Sequence, residues 1–261
     1  MIRLLKPAVQ VTLSANFLWG PSMHKLLVSI FTIAALITQT AVGGESVEER
    51  LKAKLKSILP ELEVTSVNPA PVAGLFEVIV GSDVLYVTEN GRFAFKGDLL
   101  DFDERRNLSE ERRGQARLNA LKALKRESMI EFAPENPKHV VYVYTDVDCA
   151  YCRKFHKEVG EINKAGIAVR YLAFPRAGIG SESFAKTVSV WCAKDRKAAL
   201  TDAKNGKEIP SATCDNPVKQ QYELGLRMGV KGTPTLVLDT GEELGGYVPS
   251  DQLIQHIARS K

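Results

Sequence analysis

From Ser46 onward the apolar positions of the chain switch between two periods. Val47, Leu51, Leu55, Ile58 and Leu59 recur at helical spacing. Ser46 and Glu49 make a capping-box pattern ahead of them, and Pro60 stops the stretch, so a helix is expected there. The period then shortens. Leu62–Val67 and Leu75–Val80 are rich in Val, Leu, Ile and Phe. Val84–Val87 and Phe93–Phe95 flank Asn90-Gly91, whose residues tolerate positive φ at both turn positions, so a hairpin is expected. A block of about 55 residues buries only a marginal core, and pairing with a second copy is one way to complete it.

Residues 98–108 are charged and turn-like. Ser109 is placed to cap a long helix reaching about Met129, in which Ala116, Leu118, Ala120, Leu121, Ala123 and Leu124 are interleaved with Arg and Lys. So polar a helix reads as a connecting rod. Pro134 and Pro137 mark the start of a second domain. Val140–Tyr144 is then a continuous apolar run, as in a strand buried on both faces. A helical stretch follows to about Lys164, then a strand at Ile167–Phe174. Helices are expected at Ser183–Lys194 and Pro217–Met228, strands at Thr235–Asp239 and Glu243–Tyr247, and a last helix at Asp251–Arg259. Strand–helix–strand followed by helices, a hairpin and a helix defines an α/β sheet domain. The whole is of α+β class: a small N-terminal α+β block, a linker helix and a C-terminal α/β domain. There is no internal repeat.

Composition changes this picture at the N-terminus. The 261 residues are 44% hydrophobic and 25% charged, which suits a globular chain and excludes a mostly disordered one. The net charge of +4 is concentrated in residues 1–43, which hold Arg3, Lys6 and Lys25 and no acid. There Lys25 precedes the apolar run Leu26–Thr38, and Ala41-Val42-Gly43 follows. Basic start, short apolar middle and small-residue end read as a signal peptide cleaved near Gly43, with Met23 the more natural start and residues 1–22 an upstream extension. A membrane anchor needs about 20 apolar residues, and this run is shorter. The exported chain would keep about 218 residues and a net charge near +1. No nucleic-acid partner is therefore expected, and disulfides persist where such a chain goes.

Four cysteines carry the candidate chemistry. Cys149-Ala150-Tyr151-Cys152 follows a buried strand and opens a helix. A thiolate at a helix N-terminus is stabilised by free N–H groups and the dipole, and the second sulfur lies on the same face, close enough to resolve a mixed disulfide. A static bridge across so short a ring, exposed at a helix start, would stabilise little. A zinc site would need four ligands. His156 gives C-x2-C-x3-H, but no fourth ligand is near, with His139 the nearest candidate, so no metal and no cofactor are expected. His156 is expected to pack or to face solvent. Cys192 and Cys214 read as a structural disulfide, with a second redox pair as the alternative. Thr233-Pro234 precedes an apolar strand. Either it is a plain turn or it is a cis-proline loop beside Cys149, with Thr233 backbone groups facing outward for an extended substrate.

Together these features resemble the thioredoxin fold, and more closely the DsbC-type periplasmic protein disulfide isomerases, with the DsbG-type proteins as a sister group. The resemblance spans the exported chain and rests on PAPVAG (Pro69–Gly74), Val84–Tyr86, DVDCAYC (Asp146–Cys152), VRYLAFPR (Val169–Arg176), WCAKD (Trp191–Asp195), Ser211–Asp215 and Gly232–Pro234. It implies a dimerisation domain and hinge at 44–108, a linker helix at 109–133 and a thioredoxin-like domain with a helical insertion at 134–261. It further implies a V-shaped homodimer that receives misfolded disulfide-containing exported proteins, isomerase or reductase activity with secondary chaperone activity, and a DsbD-type membrane electron donor. Cys149 would be the nucleophile, Cys152 the resolving thiol, Thr233 and Pro234 the cis-proline loop, and Cys192–Cys214 the structural bridge. A DsbG-like protein of narrower substrate range is the alternative. Two features need comment. The dipeptide is Ala-Tyr where that family typically has Gly-Tyr. Val143 stands six before Cys149, where thioredoxin itself has a buried acid, a difference that agrees with the isomerase branch. Asp146 and Asp148 would oppose the helix dipole at the thiolate, and Arg153 and Lys154 would oppose them in turn.

Overall fold

The computed structural model describes residues 45–61 and 63–259, so the expected signal segment lies outside the described residues. Glu45–Lys261 form one compact unit. Helix α1 (Val47–Ile58) starts at the Ser46–Glu49 capping box, each side chain bonded to the other's backbone N–H. Strands β1 (Val64–Pro69), β2 (Leu75–Val80), β3 (Asp83–Thr88) and β4 (Ala94–Lys96) form an antiparallel sheet in that order. The period of two sorts their side chains. Val78 and Val87 pack on Leu51 and Leu55 of α1, while Ile79, Val84 and Tyr86 point to the other face. The β3–β4 turn is longer than the Asn90-Gly91 pair predicts. Only Gly91 takes a positive φ, Thr88 N–H donates to Phe93 O, and the Asn90 side chain accepts from Arg92 N–H.

A small pair, β5 (Leu100–Asp101) and β6 (Arg106–Asn107), leads into α2 (Leu108–Lys122). Asn107, not Ser109, caps this helix: its Oδ1 accepts from Glu110 N–H at 2.9 Å. The Ser109 hydroxyl is buried instead, 2.6 Å from the Tyr86 hydroxyl and accepting from Leu99 N–H. The helix stops at Lys122, short of Met129. After it come a 3-10 turn at Arg126–Ser128 and strand β7 (Ile130–Phe132). Nor is α2 a free rod. Leu118 and Leu121 are buried in the core of the second sheet, each contributing about 1.5–3 kcal/mol if fully transferred.

That sheet runs β11 (Glu243–Gly245), β10 (Thr235–Leu238), β8 (His139–Thr145), β9 (Ile167–Ala173), β7. Only β8 and β9 are parallel. The sheet thus begins at Ile130, before the expected start at residue 134. Central β8 is buried on both faces: Val141 and Val143 meet one core, Tyr142 and Tyr144 the other. Helices α3 (Ala150–Lys157), α4 (Val159–Lys164), α5 (Glu182–Trp191), α6 (Arg196–Lys204) and α8 (Ser250–Arg259) supply the first core. Helix α2 and the α7 (Val218–Arg227) residues Tyr222 and Leu224 cover the second. Helix α6 lies between Cys192 and Cys214, where the sequence reading places no element of its own. The α2 helix crosses the β10–β11 turn at glycines on both sides. A Cβ on Gly241, which has φ +89°, would sit 2.2 Å from Gly114 O. Beside that contact Arg117 Nε donates to Gly241 O at 3.1 Å.

A buried dithiol at a helix start

The β8 strand delivers the chain to a tight loop that ends in α3, with Cys149 at the N-cap. The Cys149 sulfur accepts from Cys152 N–H at 3.4 Å, as a cap side chain does. Both thiols are free, yet each residue is only 1% exposed, unlike the exposed pair expected from the sequence, while Tyr151 between them is 64% exposed. The cover comes from the loop before β10. Its Thr233–Pro234 peptide is cis, and the Cys149 thiol donates to Thr233 O at 3.2 Å. That carbonyl therefore faces the sulfur, where the sequence reading has Thr233 backbone groups facing outward. The Thr233 hydroxyl is buried beside it.

These neighbours split the two thiols. The hydrogen bond from Cys152 is the main cause that pulls Cys149 down. Burial opposes it, and the Thr233 hydroxyl, the Cys152 N–H and the Arg176 charge add to it, leaving Cys149 at about 5. Cys152 moves the other way, raised far above an ordinary thiol by burial and by its bond to Cys149. The pair is thus a ready thiolate beside a stored proton.

Asp146 is not among the main causes that set Cys149. Burial works against its ionisation, but Ser183, the N–H groups of Arg176 and Asp148, and the Arg176 guanidinium hold its carboxyl below the usual carboxylate range. It ties the β8–α3 loop to α5 and to the segment after β9, with bonds of 2.7 to 3.0 Å. Asp148 is drawn to Arg153 and Lys186. His156 packs inside: its Nδ1 lies 2.9 Å from Tyr171 Oη and its Nε2 lies 3.0 Å from Thr201 Oγ1. Burial pulls it to about 4, so it is neutral. Cys192 and Cys214 are joined in a disulfide that spans the segment carrying α6. Beside the cis-proline loop a groove of about 650 Å³ opens, lined by Lys231, Thr233, Gly245 and Gly246 among others.

Lys204 lies in none of the sequence motifs, and Arg176 closes VRYLAFPR without a role at the dithiol being read from it. Lys204, on α6, is buried beneath the dithiol. Its signal is positional: Leu200, Ala203 and Lys204 stand at i, i+3 and i+4, so the lysine lies on the inward stripe of its helix.

A reduced Cys-x-x-Cys at a helix start, in contact with a cis-proline loop at the end of a mixed five-stranded sheet, defines a thioredoxin-like dithiol protein. Comparison with known proteins narrows the class. Residues 126–261 match the thioredoxin-like domain, and residues 40–110 match the disulfide bond isomerase protein N-terminal domain. The chain is 35% identical over 224 residues to the thiol:disulfide interchange protein DsbC of Escherichia coli (strain K12), covering 86% of this chain and 92% of that protein. It is 36% identical over 225 residues to the DsbC protein of Haemophilus influenzae, covering 86% and 95%. A disulfide interchange protein of Neisseria gonorrhoeae is a structural neighbour with 30% identity and a TM-score of 0.46, covering 51% of this chain and 97% of that one. The chain belongs to the DsbC family of thiol:disulfide interchange proteins. It is a thiol–disulfide oxidoreductase and isomerase.

Proposed function

We propose that this protein works as an exported, periplasmic homodimer that isomerises or reduces wrong disulfides in other exported proteins, with Cys149 as nucleophile and Cys152 as resolving thiol. The opposed charge preferences of the two sulfurs carry this reading. The Cys149 thiolate attacks a substrate disulfide, forming a Cys149–substrate bond and expelling the second substrate sulfur as a thiolate. That thiolate then attacks another substrate bridge and so shuffles it. Otherwise Cys152 attacks Cys149, closes the enzyme disulfide and leaves the substrate reduced. Isomerisation needs the dithiol reduced at rest, so in an oxidising compartment an outside reductant of the DsbD membrane type must restore it. The Thr233–Pro234 loop borders the groove where an extended substrate would lie, and Cys192–Cys214 serves as a structural bridge.

A dimer fits the first sheet. Strand β4 is an edge, and all three of its residues are exposed. Phe95 in this edge and Phe93 before it are exposed, as are Leu100 and Phe102 on the β5–β6 pair that follows. Such an edge is a template for pairing with a second chain. The paired domains would frame a cleft able to hold unfolded chains, which gives a secondary chaperone activity.

The test is refolding of a scrambled multi-disulfide protein by the full mature chain. Cys149→Ser should abolish turnover, and Cys152→Ser should leave covalent enzyme–substrate adducts. Turnover by Cys149→Ser at the native rate would refute the assignment. Suppression of aggregation should survive Cys149→Ala.

A further inference from the structure

The strand that precedes the dithiol offers no acid to take the Cys152 proton, because Val143 is buried among Val141, Phe155 and Leu236. Yet Cys152 must lose that proton to attack the mixed disulfide, and its burial opposes the charged form. One buried ionisable group stands ready. Lys204 is 2% exposed, and its Nζ donates to Thr145 Oγ1 and to Asp146 O, both at 2.7 Å. A lysine is almost never so deeply buried without a counter-charge, and here both bonds go to neutral oxygens. Thr145, the lysine's partner, is also among the groups that lower Cys152, which puts its hydroxyl in the surroundings of both.

We propose that Lys204 is the positioning residue of the resolving step, acting through the Thr145 hydroxyl as the base that receives the Cys152 proton and then as the ammonium that faces the new thiolate. This rests on the roles given above to Cys149 and Cys152. In the step, the thiol proton of Cys152 passes to Thr145 Oγ1 as that hydroxyl gives its own to the neutral Lys204 amine. The Cys152 sulfur bonds to the Cys149 sulfur, the Cys149–substrate bond breaks, and the substrate sulfur leaves with the electron pair. The two enzyme sulfurs end oxidised and the substrate pair reduced.

The surroundings favour an amine that exchanges protons near neutrality. Burial lowers Lys204 to about 8. The charges that reach it are Cys152, Cys149 and Arg153 on and before α3, and Asp146 on the loop before it. Neutral His156 from the same helix, held by Tyr171 of β9, adds no competing charge. Among these neighbours Cys152 raises the lysine most, and Lys204 is the first of the groups that lower Cys152.

The two halves of the reaction separate in time when the reduced protein meets 2,2′-dipyridyl disulfide. A concentration-dependent release of thiopyridone reports attack by Cys149, and a second, concentration-independent release reports attack by Cys152. Lys204→Met, a buried side chain of similar length, should slow the second release at least about tenfold at pH 7 and move its pH midpoint upward, with the first release unchanged within about twofold. An unchanged second release, or equal slowing of both at every pH, overturns the proposal. Because the variant can fail to fold, the native protein supplies a second reading. The Lys204 ¹³Cε signal should titrate at higher pH in the reduced than in the oxidised protein, and identical titration overturns the proposal. If the first release survives Cys149→Ser at the native rate, the reading of the dithiol itself has failed. If it vanishes there while Lys204→Met resolves normally, only the inference about Lys204 has.

Discussion

Charge separation between two sulfurs three residues apart comes from ordinary contacts. A cap N–H, a neighbouring thiol and a hydroxyl all point at Cys149, and little but apolar packing surrounds Cys152 apart from Lys204, Thr145 and the Asp146 N–H. Because Cys149 is depressed, its thiolate persists as pH falls and is lost only below about 5. Alkylation of the reduced protein with a small reagent should therefore run above half its plateau rate at pH 6, where a free thiol near 8.5 would be almost inert. Arg176→Ala should move that midpoint up, and mass spectrometry of the labelled peptide reads it directly. By linkage, the same depression stabilises the reduced fold above the free-thiol range, and that gain fades as pH falls through about 5. The position and residue types of this pair are legible in the sequence. The signs of its shifts are not, because Arg176 and Lys204 are distant in sequence and reach the sulfurs only through folding.

Elements were legible where one residue type dictates geometry. The capping box of α1, the apolar run of β8 and the alternation of β2 and β3 each fix a period that tertiary contacts do not override. Misplaced boundaries have a common cause. Ser109 and Asn107 are both good caps, and the buried Tyr86 hydroxyl claims the serine. Helix α2 looks polar along its length, yet its few apolar residues share one stripe, which the second core takes. Helix α6 is hard to read because its inward stripe is only Leu200, Ala203 and Lys204, and a lysine breaks the apolar pattern. The α2 crossing offers a sharp test at this scale. Gly241→Ala adds a methyl group against Gly114 O at a positive φ, and should destabilise the protein by about 2–4 kcal/mol, read as a lower urea midpoint with unchanged slope. The dithiol pH profile should stay as it is, since the strain lies at the far end of β10.

At the scale of the whole molecule, the exposed edge at β4 is where the proposed dimer can be tested. Phe95 stacks on buried Tyr86 at 5.4 Å while leaving half its surface open, so a charge there would meet a second chain before it disturbed the core. Phe95→Glu should yield a folded protein with a light-scattering mass near one mature chain. It should keep reductase turnover with small disulfides and lose most isomerase turnover with scrambled proteins. A native mass near one chain would remove the dimer from the proposal. The closed bridge and open dithiol in one chain also bear on the protein's own biogenesis. Four cysteines admit three complete pairings, and only one leaves Cys149 and Cys152 together while Cys192 holds Cys214. Each newly made molecule must therefore be oxidised at one pair and not at the other, so the environment that closes its bridge has to leave its working dithiol open.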